Sequence, residues 1–333
     1  MARIALDAMG GDHAPEAPVA AALLALQELD PAHQLQLVGR IAEIRAVLDR
    51  QLVDASPLVR AAAERLVLID ATEVVEMTDK PSVAVRGKPN SSMAVGLRLQ
   101  AEGASDAFVS AGNTGAQMAA STFILRLHAG LSRPAIGTVL PTAGQPVVVL
   151  DAGANVDCAA AELVQFARLG HVYARDILGR SNPAVGLLSI GEEAEKGNAA
   201  VKEAHQLLLG AGLHFIGNVE GRDIPAGRCD RGPIDVVVCD GFTGNVLLKL
   251  YEGVAPMIFG LLAGAGVPKE QLKQALGLLD YAKYGGAPLL GVKGVSIICH
   301  GKSSPEAIKN GVLVGLRAFE SQMSQNIGAQ LGA

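Results

Sequence analysis

Residues 234–253, IDVVVCDGFTGNVLLKLYEG, confine the chain to a small set of folds. A β-branched run, Ile234, Val236, Val237 and Val238, ends in Cys239 and Asp240. A Gly-bounded turn follows, Gly241-Phe242-Thr243-Gly244-Asn245, and then apolar residues at helical spacing, Val246, Leu247, Leu250 and Val254. The order is strand, tight turn, helix. In a parallel sheet such a turn lies at the carboxyl edge of the strands, where ligands collect. Its glycines admit close backbone approach, and free N–H groups at a helix start favour an anion. Asp240 and Asn245 are the polar side chains placed there. An Asx-type turn with a helix cap is the structural alternative.

The same order recurs along the chain. A strand over residues 3–8 meets Met9-Gly10-Gly11-Asp12-His13-Ala14-Pro15 and then a helix over about 16–29. Asp7, Asp12 and His13 stand at that junction, with Asp12 either an N-terminal cap or part of a substrate-facing turn. Further strands are expected at 34–39 and 66–70, with a helix over about 41–52 between them, and Ser91-Ser92 opens a helix running to about Glu102. Ser110-Ala111-Gly112-Asn113-Thr114-Gly115 places small residues and hydroxyls at a helix start, as phosphate binding or a close helix–strand contact requires. Residues 135–141 and 146–151 read as a hairpin delivering Asp151, Gly153 and Asn155, with a helix over about 159–177 behind it. After a strand at 185–189, Glu192, Glu193 and Glu195 suit the first turn of a helix. Lys196 is disfavoured there by the same rule, and an ill-placed cation near the carboxyl edge of a sheet is a candidate ligand contact. The last strands are expected at 214–218 and 292–299, with His300-Gly301-Lys302-Ser303 leading into a C-terminal helix to about Ile327. No fixed period repeats, so the pattern argues for a single α/β domain over 1–333 with a helical projection at about 254–284.

Composition narrows the class. Half the residues are hydrophobic but only 3% are aromatic, so core volume comes from Ala, Val, Leu and Ile, as suits helices on a parallel sheet. A formal net charge of −5 suggests no nucleic-acid partner. The runs 107–125 and 134–150 are too polar or too Pro-broken to span a bilayer, and no segment reads as a membrane span. Four cysteines form no CxxC or metal cluster, and Cys239 and Cys299 read as small core residues of a reduced, cytoplasmic protein. Within residues 79–98, Lys80, Arg86, Lys88 and Arg98 face one acid, Asp79, which makes either a solvated face or a dock for an acidic partner.

Several motifs are missing. There is no GxGxxG, GxSxG or HExxH, and Gly301-Lys302-Ser303 lacks the first glycine of a P-loop because Ser296 occupies its place. Asp7, Asp151 and Asp240 at strand ends fit either a Mg²⁺ site or turns whose N–H groups they hold, and the turn reading is favoured.

Eight motifs occur together: DAMGGDHAP, SAGNTGA, LDAGANVD, GEEAEKGN, GNVEGRD, DGFTGNVLLK, YGGAPLLG and HGKS. In this order, over nearly the whole chain, they resemble the PlsX-type phosphate acyltransferases, which act between acyl-acyl-carrier protein (acyl-ACP) and phosphate. The resemblance implies a three-layer α/β/α sandwich with a mostly parallel sheet and a projecting helical pair, related to phosphotransacetylases and isocitrate dehydrogenases. It implies transfer of a fatty acyl group from acyl-ACP to inorganic phosphate, without cofactor or metal, in a cytoplasmic, peripherally membrane-associated homodimer of phospholipid synthesis. A membrane-bound glycerol-phosphate acyltransferase would then take the acyl phosphate. The family's essential lysine and asparagine fall on Lys196 and Asn245. Asp7, Gly10, Gly11, Asp12, His13, Ser110, Gly112, Asn113, Thr114, Gly115, Asn155, Asp240, Gly241, Thr243, Gly244 and His300 are the expected substrate- or phosphate-binding positions. The projecting segment departs from the family in being shorter and less basic. Lys80, Arg86 and Lys88 are the expected ACP dock. A metal- and NAD-dependent decarboxylating dehydrogenase on a related fold is the alternative.

Overall fold

A computed structural model describes residues 1–268, 270–272 and 285–332. The backbone divides into two compact units, Met1–His128 with Ala282–Gly328, and Ala129–Tyr281 with Ala329–Ala333.

The first unit opens with β1 (Arg3–Asp7), α1 (Glu16–Glu28), β2 (Gln34–Gly39), α2 (Ile41–Leu52), α3 (Pro57–Ala63) and β3 (Leu66–Asp70). It continues through α4 (Pro81–Gly87), α5 (Ser92–Ala101), β4 (Ala107–Ser110) and α6 (Thr114–Ile124). β1 pairs in parallel with both β2 and β4, and β2 with β3. Every residue of β4 is buried, the signature of a parallel strand covered on both faces. Ser91 caps α5 and Asn113 caps α6 through side-chain oxygens. Asp12 does not cap α1: the cap is Pro15, and no side-chain bond is made there. The Asp12 N–H instead donates to the Gly301 carbonyl at 2.8 Å.

The second unit holds β5 (Ala135–Ile136), β6 (Thr138–Leu140), β7 (Val147–Leu150), α7 (Ala160–Asp176), β8 (Val185–Leu188), α8 (Ala199–Leu209) and β9 (Phe215–Val219). A short helix α9 (Asp223–Ala226), a small ribbon of β10 (Arg228–Cys229) and β11 (Gly232–Pro233), then β12 (Val236–Val238) and α10 (Gly241–Gly264) complete it. Its strand order is β6-β7-β12-β8-β9, all parallel except β6, the expected hairpin partner of β7. α7 lies close on the sheet because Gly170 faces β12, where a Cβ would stand 2.5 Å from Val236. Phe166 and Tyr173 on α7 are fully buried, and aliphatic side chains fill the rest of this core.

The chain returns to the first unit with β13 (Ala287–Leu290), β14 (Ser296–Ile298), α11 (Pro305–Glu320) and α12 (Met323–Leu331). β14 joins β4 in parallel, and β13 is antiparallel to β14. The expected strand over 292–299 is therefore shorter, and β13 was hidden within YGGAPLLG. The expected C-terminal helix is two helices, parted at Gln322, whose φ is +55°. α1 packs against α11, and α5 against α6. The fold is a three-layer α/β/α arrangement built on mostly parallel sheets.

Two further expectations change. Residues 241–245 form no separate turn, because α10 begins at Gly241, directly after its Asp240 cap. Nor do Glu192, Glu193 and Glu195 occupy a helical first turn: α8 starts at Ala199, capped by Asn198. Lys196 thus stands in the loop ahead of the helix. The helical segment expected over about 269–283, and with it the second half of the projection, lies outside the described residues.

Candidate active site

In the first unit β1, β4 and β14 are neighbours, so the turns leaving them share one sheet edge. Asp7, at the end of β1, is 2% exposed and accepts from the Ser110 Oγ at 2.7 Å and the Met9 N–H at 3.0 Å. Burial pushes its carboxyl above the usual carboxylate range, while hydrogen bonds from Ser92, Ser110, Met9 and Gly10 pull the other way. Ser110 Oγ in turn accepts the Gly112 N–H. Gly10 closes this knot, since a Cβ there would lie 2.6 Å from Asp7 Oδ2 and 2.8 Å from the Gly112 nitrogen. Asn113 is equally engaged. Its Oδ1 accepts from Ala116, and its Nδ2 donates to the carbonyls of Met77 and Asp79 at 3.0 and 3.1 Å. Asp12, His13, Thr114 and His300 are exposed around Gly11, Gly112 and Gly115. Beside this edge, Lys88 is ion-paired with Asp79 and donates to the Val74 carbonyl, so its charge is already compensated.

The second unit repeats the device. The buried carboxylate of Asp151 accepts N–H groups from Ile136, Gly153, Ala154 and Asn155, together with the Asn155 amide. Asn155 also donates to the Pro134 carbonyl, and its own carbonyl accepts the Gly241 N–H at 2.7 Å. Asp240 takes the Thr243 N–H and hydroxyl, and its carbonyl takes the Gly244 N–H. The Phe242 N–H is left as the first-turn donor without a partner among the described residues. The start of α10 therefore acts mainly through its dipole and this one donor. Asp7, Asp151 and Asp240 all hold turn or helix N–H groups, as the favoured reading of the strand-end acids expected. Each Asp151 oxygen is already saturated by donors.

Asn245 stands in the second turn of α10 with its side chain exposed, 3.5 Å from where a Cβ on Gly153 would lie. Lys196 is exposed in the loop after β8, the strand beside β12. Its ammonium makes no ion pair among the described residues. Asn245, on the helix that follows β12, and Lys196, on the loop after the neighbouring β8, are thus uncommitted polar groups at one sheet edge.

A family model described as "Fatty acid synthesis protein" matches residues 2–326. The phosphate acyltransferase of Desulfitobacterium hafniense strain Y51 is 47% identical over 342 residues, covering 99% of this chain and 98% of that protein. That of Desulforamulus reducens is 48% identical over 330 residues, covering 96% and 94%. The chain belongs to the phosphate acyltransferases. It is accordingly an acyltransferase of the fatty-acid synthesis family. Among solved structures, the EutD phosphotransacetylase from Staphylococcus aureus superposes with a TM-score of 0.63 at 16% identity, covering 96% of this chain and 94% of that one. A phosphotransacetylase from Streptococcus pyogenes gives 0.63 at 17%, with the same coverage. These two share the fold.

Sequence reasoning missed several residues that brace the loop carrying Lys196. Asn218, His205 and Arg231 support the Lys196 loop from β9, α8 and the β10–β11 ribbon, and no local motif announces their convergence. The length of α10 was missed as well. Gly241–Gly264 is long and apolar enough to cross a membrane by length and composition alone. Only Gly241 and Gly244 of this helix are buried.

Proposed function

We propose that this phosphate acyltransferase moves a fatty acyl group from acyl-ACP to inorganic phosphate, giving acyl phosphate and free ACP. The observation that carries the proposal is the pair of uncommitted groups, Lys196 and Asn245, on an edge where the Asp151 and Asp240 carboxylates are spent on holding turns. A phosphate oxygen attacks the thioester carbonyl, the C–O bond forms, and the C–S bond breaks to release a thiolate. Asn245 Nδ2 donates to the oxyanion that develops on the carbonyl, a role commonly worth about 10²–10³ in rate. Lys196 neutralises phosphate and the departing thiolate. Gly11 and Gly115 offer backbone N–H groups to an anion at the edge of the first unit, with Asp12, His13, Thr114 and His300 around them, while Gly10, Gly112, Asp7, Ser110, Asn113, Asn155 and Asp240 hold the turns in shape. The thiolate is a good leaving group, so positioning outweighs acid–base catalysis.

In this reading the chain acts as a cytoplasmic homodimer. The exposed face of α10 serves the dimer seam and a weak, reversible contact with anionic membrane. Lys80 and Arg86 attract acidic ACP, and a membrane-bound glycerol-phosphate acyltransferase consumes the product. The test is purified protein with acyl-ACP and phosphate, followed for free ACP thiol and acyl phosphate. Lys196→Ala and Asn245→Ala should each remove most activity with the fold intact. Activity within about twofold of wild type in both would overturn the assignment. Reduction of NAD with a hydroxy acid in place of acyl transfer would favour the dehydrogenase.

A further inference from the structure

Two enclosed polar side chains in the second unit take no part in the chemistry above. Asn218 on β9 has no exposed surface, and His205 on α8 is 7% exposed. His205 Nδ1 lies 2.9 Å from Asn218 Oδ1, with the imidazole edge-on to Phe215 at 5.1 Å between centroids. Asn218 Nδ2 donates to the Glu193 carbonyl at 2.7 Å. That carbonyl also accepts the Lys196 N–H, at 3.0 Å. A continuous path of hydrogen bonds therefore runs from α8 through β9 to the backbone of Lys196.

The chemistry of each group fixes the direction of this path. A carbonyl accepts only, so the Asn218 amide must turn its NH₂ toward Glu193 and its oxygen toward His205. His205 must then carry its proton on Nδ1. With that donor in place the amide has one satisfied orientation, because a flip would set oxygen against the Glu193 carbonyl oxygen. The other side-chain ties of residues 190–197 are surface contacts: Glu192 with Arg231 at 3.4 Å and with Arg222 at 3.6 Å. Exposed pairs of this kind hold a loop weakly. Among the described residues, Asn218 makes the buried side-chain bond of the loop. Arg231 steadies Asn218 in turn by donating to its carbonyl and to that of Ile216.

We propose that Asn218 and His205 are positioning residues that set the Lys196 loop in its working shape. The proposal rests on the reading of Lys196 as a catalytic group. Asn218→Ala removes the donor to Glu193, and His205→Leu removes the proton that orients the amide. Both should lower kcat by about ten- to a hundredfold while KM for acyl-ACP stays within about twofold. His205→Asn can donate from near the place of Nδ1 and should keep kcat within about threefold of wild type. Against a Lys196→Ala background, Asn218→Ala should cost nothing further in residual activity, since its effect passes through Lys196. A merely structural role would instead lower activity in that background too, and would not separate His205→Asn from His205→Leu. If Asn218→Ala does not fold, the His205 pair decides. Wild-type kcat in His205→Leu, equal losses in the two His205 variants, or additive loss with Lys196→Ala would each overturn the proposal. Retained activity in Lys196→Ala itself would show that the catalytic reading had failed, a result separate from the other three.

Discussion

Gly244 meets the Asp151 backbone so closely that a Cβ on residue 244 would lie 1.9 Å from the Asp151 carbonyl oxygen. This contact seats the first turn of α10 on the loop after β7 and so places Asn245. Gly244→Ala should displace that turn, cost about 1–3 kcal/mol by overpacking, and lower activity at least tenfold. Gly253→Ala, farther along the same helix with nothing within 4 Å of its Cβ, should raise stability by about 0.5–1 kcal/mol and leave activity alone. Thermal melts and the acyl-transfer assay on both variants check this. Equal behaviour of the two would contradict the role given to the contact.

No acyl-cysteine intermediate is expected. Burial pushes the Cys158 thiol up to about 12; nearby Asp151, Glu162 and Asp240 add to the rise, against a hydrogen bond from Gly241. Burial also pushes Cys299 up to about 12 and raises Cys239 well above the usual thiol range. A thiol with a raised value stays protonated until the pH approaches that value, so Cys158 remains a thiol at pH 8. Iodoacetamide at pH 8 should leave these three sites of the native protein largely unmodified and activity intact. In urea all four thiols should react, as counted by mass spectrometry. Fast native labelling of Cys158 with loss of turnover would favour a covalent route.

Turnover should persist in excess EDTA. In the proposed mechanism a lysine, an amide and backbone N–H groups meet the anions, and the Asp7 and Asp151 carboxylates are occupied by protein donors. Loss of activity on chelation, restored by Mg²⁺, would reverse this.

The exposed face of α10 should be a working surface. Phe242, Val246, Leu250, Met257 and Leu261 all lie on it, with Leu261 67% exposed. The protein is expected to sediment as a dimer and to bind anionic vesicles weakly. Aspartate at Leu261 and Leu262 should break one or the other behaviour, read by sedimentation and vesicle flotation. A doubly substituted protein unchanged in both would refute the use of this face.

Much of the architecture was legible because its signals are local. The runs VVVL at 147–150 and VVV at 236–238 read as strands, and they are wholly buried. Ser91 marked a helix start, and α2 fell at its expected bounds, since capping and periodicity act within a few residues. The glycine-rich turns and the eight motifs identified the family, and the resemblance singled out Lys196 and Asn245 as the positions to test.

Long-range partners decided the rest. Residues 241–245 look like a turn in isolation but form helix, because Asp240 caps them and Gly244 rests on Asp151. The loop bearing Lys196 stays out of α8 because Gly197, at φ +104°, breaks the chain just before the Asn198 cap. β13 carries a proline between glycines and a loop, and sheet pairing, including that with antiparallel β14, made it a strand. Nothing near Lys196 in sequence points to Asn218, 22 positions on. Composition and spacing specify which segments fold and which chemistry they carry, because those depend on neighbours along the chain. Which carbonyl a buried amide reaches depends on strand order and helix packing, and only the tertiary structure settles that.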